Sequence, residues 1–311
     1  MAGPTDDVVR ELLVRRLDAW GPAALHRSKR ACFLQAYGGP PGDLPAASLR
    51  VFDEFTDMLR GRRLTALVVA PSADELRPAL DAVHRELDSP SGLAIHAMPG
   101  SLDAVPVAVK AASAAGAPIL AYLDASTGGP PSPAALAAVA TGNPAELMLA
   151  LGPAARSGFD HRVALREARF PLVADVDLVA GQVTLLVAFA TGSDRSLEAF
   201  KDAMWAVDEY AGVHYRDPRD PEAHLLDISL RPHPGPLRRG LLAHLASAGA
   251  LSVTDLRRFT VTETVYRSSD ANPVITALLA AGLVTRSPMA GRLSGDVLIA
   301  PAAGAAGRRS R

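Results

Sequence analysis

The sequence predicts an α/β protein: a mostly parallel sheet with helices on both faces, followed by a C-terminal winged helix. Three observations carry this. Between residues 31 and 151, short apolar runs alternate with amphipathic stretches, the strand and helix periods taking turns. The segment 101–150 holds only Asp103, Lys110, Asp124 and Glu146 as charged residues, which suits strands buried on both faces. Beyond Arg231-Pro232-His233-Pro234-Gly235-Pro236, which breaks regular structure, the order becomes three helices and a two-stranded wing.

Taken in order, Val8, Leu12, Leu13, Leu17 and Trp20 fall near helical spacing, with Thr5 as a cap and Gly21-Pro22 as the break. Strands are expected at 31–36, 64–70, 93–97, 119–123 and 147–151, and helices at 45–60, 73–87, 103–114 and 132–140. From 155 to 233 the signal weakens. Gln182 to Ala190 reads as a strand, and 196–210 as a helix with Leu197, Phe200, Met204, Val207 and Tyr210 turned inward. The C-terminal part gives helices at 237–248, at 253–259 behind Ser252 or Thr254, and at 272–281 before Gly282, then wing strands at 283–286 and 296–299. The expected division is 1–233 for the sheet domain with its N-terminal helix, 234–300 for the winged helix, and 301–311 for a mobile basic tail.

The 311 residues, 49% hydrophobic and 21% charged, suffice for a buried core and exclude a disordered or fibrous chain. A single cysteine, Cys32, excludes an internal disulfide framework. Eight histidines without metal-ligand spacing argue against a metal site. Neither a Gly-x-Ser-x-Gly elbow nor a Gly-Lys-Ser/Thr phosphate loop occurs. The first residues contain no apolar run like a signal-peptide core, and no uninterrupted apolar stretch is long enough to span a membrane, so a cytoplasmic location is expected. Net charge is −1, yet residues 234–311 carry ten Arg and no Lys against four acidic residues, a balance of +6.

In such sheets ligands bind beyond the carboxyl ends of the strands, which directs attention to 37–42, 71, 100–103 and 124–129. Gly38 and Gly39 either approach a ligand or shape a tight turn. Asp124 is either a catalytic or substrate-facing group or an anchor for the backbone of the following turn. Asp103 either touches a ligand or caps the next helix. Cys32 reads as core. On the third C-terminal helix only Asn272 and Thr276 could reach base edges. Arg257, Arg258, Arg267, Arg286 and Arg292, with Arg308, Arg309 and Arg311 of the tail, could hold nucleic-acid phosphates or form a solvated face.

The stretch Cys32-Phe33-Leu34-Gln35-Ala36-Tyr37-Gly38-Gly39-Pro40-Pro41-Gly42 resembles the signature that opens the three-Cys-motif partner (TcmP) proteins, which have an S-adenosylmethionine (AdoMet) methyltransferase-like domain. Val68-Val69-Ala70-Pro71-Ser72, Ala121-Tyr122-Leu123-Asp124 and Glu198-Ala199-Phe200-Lys201-Asp202-Ala203-Met204-Trp205 continue the likeness, and the winged helix is similar to that of actinobacterial members. The resemblance implies a methyltransferase-like Rossmann domain with a cofactor site at Gln35, Tyr37, Gly38, Gly39, Ala70 and Asp103. It also implies two losses: Gln35 stands where the family has Asp, and Ala70 where it has the Glu that accepts the ribose hydroxyls. The expected function is a degenerate, partner-binding protein, the partner a protein or, through the winged helix and Arg-rich tail, a nucleic acid. The alternative is an active AdoMet-dependent methyltransferase acting on an unidentified acceptor.

Overall fold

A computed structural model describes residues 3–88, 90–207 and 212–302. Helix α1, Pro4–Arg27, is followed by β1, Arg30–Tyr37, α2, Leu44–Leu49, and a 3-10 helix at Arg50–Leu59. Then come β2, Arg63–Ala70, α3, Ala73–Glu86, and β3, Leu93–Pro99. A 3-10 turn at Leu102–Ala104 leads to α4, Val105–Ala111, β4, Ile119–Ala125, α5, Pro133–Val139, and β5, Ala145–Leu151. Two short helices, α6, Pro153–Arg156, and α7, His161–Glu167, precede the hairpin of β6, Leu172–Ala180, and β7, Val183–Thr191. Next are α8, Asp194–Trp205, β8, Val213–Arg216, and β9, Leu225–Asp227. The C-terminal module comprises α9, Gly235–Ala248, β10, Leu251–Ser252, α10, Val253–Glu263, α11, Ser268–Ala280, β11, Val284–Ser287, and β12, Leu298–Pro301.

The main sheet has nine strands in the order β3-β2-β1-β4-β5-β7-β6-β8-β9. Strands β1 to β5 are mutually parallel, and β7 lies antiparallel between β5 and β6. One face buries Phe33, Val68, Leu120 and Met148 beneath α1, the first 3-10 helix, α3 and α8. The other buries Leu34, Val69, Ala121 and Leu149 beneath α4 to α7. Leu237, Leu241, Leu256 and Ile275 of the C-terminal module belong to the same apolar cluster as α1 and α8. The module's own sheet is antiparallel, ordered β10-β12-β11.

Several expectations need correction. Helix α1 begins behind Gly3, whose N–H donates to Asp6 Oδ2 at 2.8 Å; Thr5 is a buried residue within the helix, not its cap. The helix also runs through Gly21-Pro22. Ala24 and Leu25 beyond the proline are buried, and Gly21 lies so close to the Phe55 ring that a Cβ would meet its Cζ at 2.5 Å. Burial of that last turn outweighs the lost backbone bond. The single helix expected at 45–60 divides into α2 and a 3-10 segment that is itself kinked at Phe55, where φ is −137° and ψ 28°, with Phe52, Phe55 and Leu59 buried. Strands β6, β8, β9 and β10 were not expected. Helix α11 starts at Ser268, ahead of Pro273, where the Asp270 carboxylate accepts from the Arg267 N–H at 3.0 Å and from its guanidinium. The helix expected to reach Tyr210 ends at Trp205, and 208–211 with most of the C-terminal tail fall outside the described residues.

Candidate functional site

At the carboxyl ends of the central strands, Tyr37 of β1 stands beside Asp124 of β4, while Ala70 ends β2 opposite Pro99 of β3. The Gly38 N–H donates to the Asp124 carbonyl at 2.8 Å, so the chain leaves β1 pressed against β4. A Cβ on Gly38 would lie 2.5 Å from the Thr127 carbonyl oxygen, and one on Gly39 would collide with Thr127 Oγ1. From the other side, a Cβ on Gly152, just after β5, would strike the Ser126 carbonyl. The glycines therefore leave room for the Ser126-Thr127 turn, which fills the space their missing side chains create.

The polar groups beneath this turn are largely committed to one another. Tyr37 Oη donates to Gln35 Oε1 at 2.6 Å, and both residues are buried. Gln35 Nε2 has no hydrogen-bond partner among the described residues. Asp124 accepts from Tyr122 Oη at 3.0 Å and from the Ser126 N–H at 2.8 Å, so the anchor geometry expected for it is present. Burial, and then the Asp124 charge, push the Tyr37 and Tyr122 hydroxyls well above the usual tyrosine range. Asp6 caps α1 and Asp43 pairs with Arg10 at 2.8 Å. Asp103 and Glu75 are exposed, and neither has a side-chain partner among the described residues. Asp103 does not cap its helix.

The resemblance would place anionic acceptors for an AdoMet nucleoside at the ends of β1 and β2. Gln35 supplies a buried amide already engaged with a tyrosine, and Ala70 supplies a methyl group. Asp103 and Glu75 are hydrated carboxylates, which hold a partner weakly. Neither strand end supplies a carboxylate. Cys32, whose thiol burial pushes up to about 12, is an inert core side chain.

A second constellation lies at the far side of the sheet, and the sequence reading missed it. Asp175 of β6 is buried, with His161 Nε2 at 2.9 Å, Arg219 Nη2 at 3.0 Å and Arg162 Nη1 at 3.5 Å. Burial alone would raise its carboxyl, but His161, Arg219 and Arg162 outweigh that and hold it well below the usual carboxylate range. Asp177, also buried, is shared by Arg156 at 2.7 Å and Arg216 at 2.8 Å. Only Asp177 to Ala180 of β6 pair with β8. Along the remaining edge, Arg162 satisfies the Val173 carbonyl at 3.2 Å and α10 packs against the strand. Beside this cluster a cleft of about 1640 Å³ opens between the loop after β8 and α9. Asp220, His224, Arg239 and Tyr266 are in its wall, with Asp220 Oδ2 2.6 Å from His224 Nδ1. The available signal was the alternation in Val173-Ala174-Asp175-Val176-Asp177-Leu178, a strand period with carboxylates on one face.

The arginines singled out in the C-terminal part are mostly engaged. Arg257 Nε donates to Asn272 Oδ1 at 3.0 Å. Arg267 holds Asp270 and the Leu230 carbonyl, and Arg286 pins the wing through the Pro288, Gly291 and Arg292 carbonyls. Arg258 makes an exposed pair with Asp194 at 3.5 Å, and Arg292 is exposed. Arg308, Arg309 and Arg311 lie outside the described residues.

A doubly wound sheet whose seventh strand is reversed and inserted beside the fifth defines the methyltransferase-like Rossmann fold. No family model matches the sequence, and no curated protein does. Among solved structures, EvdMO1 is 10% identical with a TM-score of 0.39, covering 63% of this chain and 44% of its own. A spermidine synthase in complex with the transition-state analogue AdoDATO is 13% identical, with a TM-score of 0.36 and coverages of 63% and 64%. The human methyltransferase 10 domain containing protein is 9% identical, with a TM-score of 0.31 and coverages of 58% and 83%. The chain thus spans less than two thirds of the first two. Scores and identities this low leave the chemistry to be decided by this chain's own residues.

Proposed function

We propose that this is a TcmP-like protein that keeps the methyltransferase-like fold, has lost strong AdoMet affinity, and works by binding a partner. The observation that carries the reading is the pair of uncharged strand ends, Gln35 tied to Tyr37 and Ala70 buried without a carboxylate. Each missing charge-assisted hydrogen bond is worth about 1.5–3 kcal/mol, or roughly ten- to a hundredfold in affinity. Losing both turns micromolar binding into millimolar or weaker.

We read the C-terminal module as a winged helix, from its order of helix, strand, helix, helix and two strands. A protein partner suits it better than a nucleic acid. Arg257, Arg267 and Arg286 spend their guanidinium groups on the module itself. Its place also argues against presenting a methyl acceptor to the cofactor locus. Helix α10 sits on β6, four strand positions from β1, about 19 Å across the sheet. The single buried thiol agrees with a reducing cytoplasm. No helix among the described residues is long and apolar enough to cross a membrane. The second reading, an active methyltransferase, draws its support from the exposed Asp103 and from Asp124 at the end of β4.

Restoring the missing acid tests the cause. Ala70→Glu, and Gln35→Asp as a second variant, are expected to tighten AdoMet binding by about ten- to a hundredfold each in equilibrium dialysis. If both variants fold, by circular dichroism, and neither gains affinity, the missing carboxylates are not the reason for the loss.

A further inference from the structure

The connection from α10 to α11 is seated on the main sheet by side chains. The Thr262 carbonyl accepts from Arg162 Nη2 at 2.6 Å and Arg219 Nη1 at 3.1 Å. The Val265 carbonyl accepts from Trp205 Nε1 at 3.0 Å, and the Val265 N–H donates to Asp217 Oδ2 at 3.2 Å. The Trp205 and Tyr266 rings stack at 5.9 Å. The remaining contact is Lys201 Nζ of α8, which donates to the Thr264 carbonyl at 2.5 Å. Arginine and indole do not change charge near neutral pH; a buried lysine can.

Lys201 is fully buried, and its hydrogen-bond partner is a neutral carbonyl. The charged groups acting on it are Arg219 and Asp217 of the loop after β8, Asp175 of β6 and Arg162 of α7, and Glu263 at the end of α10 pairs with the two arginines. Glu263 and Asp217 are occupied by the arginines, and no carboxylate among the described residues pairs with Lys201. We propose that Lys201 makes the seating of the C-terminal module responsive to pH: the neutral amine seats the α10–α11 connection on α8, and protonation loosens it.

The direction follows from the environment. Burial first, and then Arg219 and Arg162, pull the ammonium down to about 7, against the opposing effect of Asp175 and Asp217. A lysine released to water returns to its usual value near 10.5. Between those values the released state binds the proton and the seated state does not, so seating strengthens as pH rises through that window. Below about 7 both states are protonated and the dependence ends.

The chain has three lysines, Lys29, Lys110 and Lys201, so NMR of lysine-labelled protein follows each side chain separately. Lys201 is expected to titrate near 7. Hydrogen exchange of the α10–α11 amides, corrected for intrinsic rates, is expected to slow on the order of tenfold per pH unit between about pH 8 and 10. Lys201→Met, which keeps the length of the side chain, is expected to abolish that slope. Titration of Lys201 near 10.5, or an unchanged slope in Lys201→Met, overturns the proposal.

Discussion

Asp175→Ala is expected to lower stability by about 3–5 kcal/mol, the usual result of removing one partner from a buried charge cluster. The loss comes from what remains. His161, Arg162 and Arg219 surround the deleted carboxylate, and the two arginines also hold the Thr262 carbonyl. Without Asp175 the Arg162 and Arg219 guanidinium groups, 13% and 27% exposed, lose the buried carboxylate they share at the joint between sheet and C-terminal module. Against a total of about 5–15 kcal/mol for a typical domain, this is a large fraction. Urea unfolding measures it, and loss of exchange protection in α10 locates it. Acid carries the same signature. The folded Asp175 carboxyl titrates well below its ordinary value of 3.8, so its contribution is complete above that pH and fades as pH falls below it. The wild type should therefore lose stability in acid over a range where Asp175→Ala shows a flatter dependence. A cost below about 1 kcal/mol would mean that the cluster is a surface ion pair in energetic terms.

Glu146→Ala is expected to cost a similar 3–5 kcal/mol through a different joint. Arg16 of α1 lies with its Nε 2.8 Å from Glu146 Oε2 at the start of β5, and its guanidinium carbon is 5.4 Å from the Phe189 ring centre. The two side chains are 6% and 3% exposed, so removing the carboxylate strands a buried guanidinium whose remaining hydrogen-bond partner among the described residues is the distant Ser196 hydroxyl at 3.4 Å. Helix α1 covers the central strands, and its displacement would open the core on that face. The double variant Arg16→Met/Glu146→Leu should recover most of the loss, because two apolar side chains carry no unpaired charge. Chemical denaturation of the three variants decides this; a double variant no better than the single would place the cost in packing instead.

The central strands were legible because β1, β2, β4 and β5 are buried on both faces and read as nearly continuous apolar runs, bounded by glycine, proline and polar residues. Strand β6 was not, because Asp175 and Asp177 interrupt its apolar run, and the cations that make their burial tolerable come from residues 156 to 219. Gly38 and Gly39 announced a turn, but its reason, Thr127 packed where side chains would stand, depends on a register between β1 and β4 that local sequence does not contain. Lys201 looked like one more polar residue on an amphipathic helix. Only the return of the chain at Thr264, sixty-three residues later, buries it. Gln35 and Ala70 were readable as uncharged, whereas the Tyr37–Gln35 bond that closes the end of β1 required the fold.

Isothermal titration calorimetry of the unmodified protein with AdoMet and with S-adenosylhomocysteine bears most directly on the cofactor locus. Uncharged ends on β1 and β2 predict no saturable heat up to millimolar ligand. Saturation at about tens of micromolar or tighter, abolished by Asp103→Ala, would contradict the account and establish a working nucleoside site.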